Sequence, residues 1–415
     1  MGEWRGEWGD PPRRRVLPLW WPPDLVGRQV GSALLVGGLS RWRNLPRWML
    51  NNGLRCLPGA AGSRGMGCIG FPCHPVFEMT AACNLRCIHC HLSAGRRAED
   101  ELTTEEAKRL LDDLASVREF RMMAFTGGEP LVRPDLHELL AYSQALGFSN
   151  TIATNATLVD EAEARRLRRN GVVIAAVSLD SSDPRVHDRV RGVPGAFEKA
   201  IQGMQALRDA GILLHINITA MEYNMGELDR LMALVEELGA AILLMYQLIP
   251  VGRGQNIQEA TLDLTANERL IRFMADAQAS SRAVLEPVAG PQYWPFLLER
   301  TGMKGGLSLR IAEKLFHGCS AGRGFVYIKP DGEVWPCPFL EVSCGNVRET
   351  PFPTIWEHSP VFVDLRERET RLTGQCGECR YRRLCGGCRG RAYVTTGNYL
   401  AEDPSCFIHK DQSYR

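Results

Sequence analysis

The sequence predicts an α/β protein, a partial (β/α)6 barrel followed by a small cysteine-rich C-terminal domain. Two observations carry this reading. From Val76 to about residue 250, six short apolar runs alternate with amphipathic segments of helical period. Apart from Cys56, Cys68 and Cys73, the fourteen cysteines leave eleven that fall into two groups, Cys83–Cys90 and Cys319–Cys406, with none between them. A chain of 415 residues, 45% hydrophobic and 23% charged, is long enough to bury more than one core. We expect an extension over residues 1–75, a barrel core over 76–300 and a cysteine-rich domain over 301–415.

The extension differs from the rest. Up to Arg64 it has ten arginines, four acids and no lysine, with six of the nine tryptophans. That composition suits either a segment draped over the core or a peripheral contact with a membrane or a protein. Arg13-Arg14-Arg15 and the apolar residues after it superficially resemble a twin-arginine export signal, but Pro22, Pro23, Asp24 and Arg28 interrupt the apolar part. No stretch reaches the ~20 apolar residues of a membrane span, and the reading is a cytoplasmic protein. A net charge of +1 gives no electrostatic basis for nucleic-acid binding, and none is expected. Two dense cysteine groups around a long cysteine-free segment suggest metal clusters in a reducing compartment rather than disulfides.

In chain order, the expected strands are Val76–Thr80, Met122–Phe125, Asn150–Thr154, Val172–Leu179, Leu213–Thr219 and Ala241–Leu248. Between them, helices are expected over Thr103–Val117 (capped by Thr103 or Thr104), Asp135–Leu146, Asp160–Arg169, Ala196–Ala210 and Met225–Leu238. Gly147, Gly171, Gly211 and Gly239 each follow a helix, where a left-handed cap is expected. Repeated βα units imply a parallel sheet, curved or closed in a TIM-like barrel with its site at the C-terminal strand ends.

Polar and glycine-rich residues fall at that end of every strand. The first is followed by Cys83-Asn-Leu-Arg-Cys87-Ile-His-Cys90. Thiols spaced C-x3-C-x2-C suit zinc or an iron–sulfur cluster. Three ligands from one loop leave a fourth metal position open, whereas a structural zinc site is closed by four. By itself the motif leaves both metals in play. After the second strand comes Gly127-Gly128-Glu129-Pro130. The third ends at Asn155 and the fourth at Ser178-Leu179-Asp180. The fifth carries Asn217 and Thr219, and the sixth runs through Gln247 to Gly252-Arg253-Gly254.

C-x3-C-x2-C after the first strand and Gly-Gly-Glu-Pro after the second, within six βα units, resemble the radical S-adenosylmethionine enzymes over about residues 76–255. The resemblance implies that Cys83, Cys87 and Cys90 hold a [4Fe–4S] cluster whose fourth iron chelates S-adenosylmethionine. One-electron cleavage of the sulfonium then gives methionine and a 5′-deoxyadenosyl radical that takes a substrate hydrogen. It further implies that Gly127, Gly128, Glu129 and Pro130 form the motif that contacts the methionine amine. Ser178 and Asp180 would bind the carboxylate and ribose, Arg191 would pair with the carboxylate, and Asn155 is a further cofactor-binding candidate. Gly127 and Gly128 also let the backbone approach a ligand closely. His89 departs from the aromatic or aliphatic residue usual before the last cysteine, and a histidine can still pack over adenine.

The C-terminal cysteines run Cys319, Gly332-x4-Cys337, Cys344, Cys376-x2-Cys379-x5-Cys385-x2-Cys388 and Cys406. This resembles the SPASM extension, with two rather than the usual three residues before Cys388, and implies one or two auxiliary [4Fe–4S] clusters. By the family's wiring, Cys319, Cys337 and Cys388 would hold one cluster with Cys344, and Cys376, Cys379, Cys385 and Cys406 the other. Two C-x2-C pairs would also suit zinc. Gly318-Cys319, Cys344 to Trp356 and Cys385 to Tyr393 resemble the enzymes that finish modified tetrapyrroles, heme b synthase and its heme d-type relatives, which act oxidatively on propionate side chains. That implies a tetrapyrrole-like substrate, an electron donor such as ferredoxin or flavodoxin, and arginines to hold substrate carboxylates, with Arg253, Arg310 and Arg323 as candidates. Tyr246 is a candidate hydrogen donor. A maturase of ribosomal peptides shares the same motifs, and an electron carrier or zinc scaffold is the non-enzymatic alternative.

Overall fold

The computed structural model describes residues 74–408, except 118–119, 121, 279–280, 282 and, within 301–317, all but 306, 309–310 and 313. Nearly all of the expected extension over residues 1–75 lies outside the described residues.

The strands are β1 (His74–Glu78), β2 (Met122–Thr126), β3 (Ser149–Thr154), β4 (Val172–Ser178), β5 (Leu213–Ala220), β6 (Ile242–Gln247), β7 (Val284–Val288), β8 (Phe325–Ile328) and β9 (Val334–Trp335). They form one sheet in the order β7-β6-β5-β4-β3-β2-β1-β8-β9, parallel except for the β8–β9 pair. The six expected strands are present in sequence order. The sheet is open rather than closed, and three strands extend it. β7 contains Glu286 and Pro287, which break the apolar run that would announce a strand; an edge position tolerates the proline. β8 and β9 come from the cysteine-rich region and extend the sheet beside β1, a pairing with no local sequence signal.

Crossover helices are α1 (Thr104–Ser116), α2 (Leu136–Ala145), α3 (Glu161–Arg169), α4 (Pro184–Arg191), α5 (Ala196–Asp209) and α6 (Leu228–Glu237), followed by α7 (Leu264–Gln278) and α8 (Tyr293–Arg300). Thr103 caps α1 in a reciprocal box with Glu106. Gly147, Gly171, Gly211 and Gly239 all take positive φ, as expected of helix stops. The helices cover one face of the sheet, where Phe77, Phe125, Ile152, Val177, Ile216 and Met245 meet Leu110, Leu139, Leu167, Leu207 and Val235. Strand alternation sends Glu78, Thr151, His215, Asn217 and Glu286 to the opposite face, beside Val76, Ala124, Ile174, Leu244 and Val284. Because β1–β7 run parallel, all of their following loops meet at one edge.

The C-terminal region adds α9 (Phe352–His358), α10 (Pro360–Arg366), α11 (Arg368–Arg371), α12 (Gly374–Glu378) and α13 (Arg389–Thr396). No helix among the described residues is long and apolar enough to cross a membrane.

Candidate active site

The loop carrying Cys83, Cys87 and Cys90 is held by main-chain and side-chain bonds from four neighbouring segments. Cys83 N donates to Gly95 O at 3.0 Å, and Arg86 N and Ile88 N donate to Arg191 O and Val190 O at 3.0 and 2.9 Å. From the loop after β2, Gly128 N donates to Thr80 O at 2.7 Å and Glu129 N to Ala82 O at 2.9 Å. After β6, Arg253 N donates to Cys90 O at 2.8 Å, its Nε to Cys87 O at 2.8 Å and its Nη1 to Ala94 O at 2.6 Å.

Two glycines permit this convergence. A Cβ on Gly128 would lie 2.2 Å from Ala82 O, and one on Gly252 would lie 2.4 Å from His91 O. The close approach that glycine allows here is therefore to the cysteine loop itself, and not only to a ligand.

Arg253 changes role on the same grounds. Its guanidinium binds two carbonyls of the cysteine loop, so it is a loop clamp and not a free cation for substrate. The other two candidate clamps differ in exposure. Arg310 is exposed, and Arg323 is buried in the C-terminal region beside Glu369 at 3.4 Å. We predict that Arg253→Ala, losing two bonds from a charged donor worth about 1.5–3 kcal/mol each, lowers iron retention by the cysteine loop. Iron quantitation after anaerobic desalting checks this.

Glu129 is fully buried at the end of β2 and pins β2 to β3. Its carboxylate accepts from Leu131 N at 3.1 Å, Thr154 Oγ1 at 2.8 Å and Asn155 N at 2.8 Å. Burial outweighs these donors and raises its pKa to about 7. A raised carboxyl pKa contributes stability that is complete below its ordinary value of 4.5 and lost as pH rises through about 7. Glu129→Gln is thus expected to flatten the pH dependence of thermal unfolding over that window, while placing an amide N–H against a donor. Asn155 reaches the cysteine loop: its Nδ2 donates to Asn84 Oδ1 at 2.8 Å.

At the end of β4, Asp180 is fully buried. Its Oδ2 lies 2.7 Å from Arg191 Nη2 and 3.4 Å from His89 Nε2, and its Oδ1 accepts from Thr219 N at 2.9 Å. Burial alone would raise this carboxyl, but the charges of Arg191 and the two histidines His89 and His187 hold it below the ordinary value. Arg191 Nη1 is also 3.7 Å from Cys87 Sγ. His89 thus caps the Asp180–Arg191 pair. Ser178 stands half-buried beside Asn217 in register.

The chemistry of the site fits a cluster with a chelated S-adenosylmethionine. Burial pushes the Cys83 thiol up to about 11 and raises the Cys87 thiol as well, and the neighbouring thiols add to both shifts. Only a bound metal would make such thiols thiolates at neutral pH. Buried polar atoms stand ready for a polar ligand: Arg191 Nε and Asn217 Oδ1 have no hydrogen-bond partner among the described residues.

The C-terminal thiols gather similarly. Cys385 has Cys406, Cys376 and Cys379 as neighbours. Cys388 faces Cys319, and Cys319 and Cys337 adjoin Leu340 and Leu365. Cys344 has Arg366 and Glu333 as its charged neighbours. A buried network ties this region to the strand ends. Asp403 accepts from Cys388 N and Gln292 Nε2, both at 2.7 Å, and pairs with Arg391 at 3.2 Å; Arg391 Nη2 donates to Gln247 Oε1 at the end of β6. Asn84, Asp403 and Arg391 were missed in the sequence, and Arg253 was found there but given a substrate role. Asn84 had a signal, its place inside the cysteine motif; the others are joined to their partners by contacts across long stretches of chain.

Comparison with known proteins agrees. Residues 77–235 match the radical SAM superfamily, and residues 319–380 match the SPASM iron–sulfur cluster-binding domain. The AdoMet-dependent heme synthase of Methanosarcina barkeri is 38% identical over 335 residues, covering 80% of this chain and 95% of that protein. The mycofactocin maturase MftC of Mycobacterium tuberculosis is 32% identical, covering 80% and 81%. The structure of Streptococcus suis SuiB bound to S-adenosylmethionine shares the fold, with a TM-score of 0.66 at 20% identity over 81% of this chain and 78% of that one. The protein is an enzyme that uses a [4Fe–4S] cluster with S-adenosylmethionine and auxiliary iron–sulfur clusters. The chain belongs to the radical S-adenosylmethionine superfamily, among the members with a C-terminal SPASM domain.

Proposed function

We propose that this enzyme converts propionate side chains of an iron tetrapyrrole to vinyl groups by oxidative decarboxylation. The observation that carries this reading is the 38% identity to a heme synthase across 80% of the chain, including the cysteine-rich region. Cys83, Cys87 and Cys90 hold the reductive cluster. Cys319, Cys337 and Cys388 with Cys344, and Cys376, Cys379, Cys385 and Cys406, hold the auxiliary pair. The domain division falls near residues 75 and 300.

When bound and reduced, the first cluster supplies the electron that turns S-adenosylmethionine into methionine and a 5′-deoxyadenosyl radical. Removing one hydrogen atom from the propionate carbon next to the macrocycle leaves a carbon radical. Breaking the bond to the carboxylate would then form the vinyl double bond, release carbon dioxide and leave one electron, for which a cluster held by the C-terminal cysteines would be the acceptor. A ferredoxin or flavodoxin in the cytoplasm supplies the reducing electron, and residues 1–75 serve a peripheral contact. The chain's own contribution is placement. Arg253 and Gly252 fix the cysteine loop, and Gln247–Arg391–Asp403 fixes the auxiliary cysteines relative to it. His91 and Phe339, with ring centroids 5.4 Å apart and planes inclined at 59°, and Tyr246, 6.4 Å from Phe339 at 69°, form an aromatic cluster that joins the cysteine loop and β6 to the C-terminal region.

The similarity to MftC favours peptide maturation as the second reading. Anaerobically reconstituted enzyme given S-adenosylmethionine, dithionite and iron coproporphyrin III is expected to release carbon dioxide and yield a vinyl-bearing heme. Turnover of a peptide with the porphyrin left intact would assign the enzyme to peptide maturation.

A further inference from the structure

Arg368, at the start of α11, is fully buried among the auxiliary cysteines. Its Nη1 donates to Cys319 O at 2.6 Å. Its Nε and Nη2 have no hydrogen-bond partner among the described residues. A Cβ on Gly386 would meet Arg368 Nε at 2.7 Å and Nη2 at 3.1 Å, so the unpartnered edge of the guanidinium lies against the turn between Cys385 and Cys388.

The neighbouring buried arginines differ from it. Arg391 pairs with Asp403 at 3.2 Å. Arg389 donates to Tyr399 O and Ala401 O at 2.8 and 2.5 Å, with Nη2 3.8 Å from Cys376 Sγ. Glu369, next to Arg368 in sequence, instead faces Arg323 and Arg383 at 3.4 and 3.5 Å. Among the described residues, Arg368 forms no ion pair with a carboxylate. A buried guanidinium without a counter-charge is strongly disfavoured. The anionic groups within reach are the iron–sulfur clusters of the two auxiliary sets, one with Cys319 as ligand and the other with Cys385, and the unpartnered edge faces the Cys385 side.

We propose that Arg368 donates N–H bonds to an auxiliary cluster and raises that cluster's reduction potential. Reduction adds one negative charge to the cluster, and a fixed cation with two free donors stabilises the reduced form more than the oxidised one. The consequence for the reaction is an acceptor better able to take the electron left when the substrate loses carbon dioxide. The inference rests on Cys319 and Cys385 being cluster ligands, which the iron content of Cys319→Ala and Cys385→Ala tests separately.

The test is a redox titration of reconstituted enzyme followed by electron paramagnetic resonance. In Arg368→Gln, one auxiliary signal is expected to titrate at lower potential. At the wild-type midpoint its oxidised-to-reduced ratio should rise about tenfold, equivalent to about 59 mV for a one-electron couple. Arg368→Lys should shift it less, and the cluster on Cys83, Cys87 and Cys90 should not move. A fully loaded Arg368→Gln protein with every midpoint at its wild-type value overturns the proposal. If the glutamine variant fails to load, wild-type enzyme carrying ¹⁵N-guanidino arginine replaces it. Pulsed resonance should show ¹⁵N coupling on an auxiliary signal that is lost in Arg368→Lys. No coupling in wild type, or coupling unchanged in the lysine variant, overturns the proposal.

Discussion

Cys87→Ala is expected to abolish 5′-deoxyadenosine formation and to remove about four irons per chain, one [4Fe–4S] cluster. Cys87 is the buried member of the three thiols, and its surroundings are the most committed to it. Arg253 holds its carbonyl at 2.8 Å and Arg191 Nη1 sits 3.7 Å from its sulfur. Alanine leaves two thiolates on a loop whose backbone is fixed by neighbouring loops, so no other residue can swing in as a substitute. Serine is no remedy, because a hard alkoxide is a poor match for iron–sulfur chemistry. The control is Cys376→Ala, which should lose an auxiliary cluster yet still cleave S-adenosylmethionine. Iron and sulfide analysis with a chromatographic assay for 5′-deoxyadenosine reads both. Wild-type cleavage by the Cys87 variant would remove this loop from the chemistry.

The largest effect on stability is expected at Asp180 and Arg191. Both side chains are buried, with Oδ2 and Nη2 at 2.7 Å. Removing either partner leaves a buried charge uncompensated, at a cost of about 3–5 kcal/mol. Asp180→Asn and Arg191→Gln should each lower the thermal midpoint of the reconstituted enzyme strongly, and the double variant should fall well short of their sum. Because Arg191 holds Asp180 below its ordinary value of 3.8, the pair's contribution is present above that pH and lost as pH falls below it. Strictly additive losses in the double variant would show that the two side chains act independently.

The core of the site is legible in the sequence because its chemistry is local. Three thiols in eight residues need no fold to bring them together, and Gly127-Gly128-Glu129-Pro130 announces itself by composition. What those residues bind to is less legible. Glu129 accepts from Thr154 and Asn155 on the next strand, and Asp180 meets Arg191 across a helical turn and a loop. An arginine near strand β6 reads equally well as a substrate clamp or a loop anchor, and only the fold shows Arg253 reaching back 166 residues to Cys87. Strand β8 was hidden for the same reason: its partner β1 lies some 250 positions earlier, and hydrogen bonding between them leaves no mark in either segment. Arg368 lacks any spacing signal, since its meaning lies in having donors without acceptors.

In the proposed reaction, the radical made at Cys83, Cys87 and Cys90 takes hydrogen from a propionate. Iron coproporphyrin III deuterated at the propionate carbons next to the macrocycle, turned over anaerobically with S-adenosylmethionine and reductant, tests it most directly. Deuterium is expected in the recovered 5′-deoxyadenosine, together with carbon dioxide release and vinyl formation. Unlabelled 5′-deoxyadenosine accompanying vinyl formation would contradict it, as would label appearing only from substrate deuterated elsewhere on the ring.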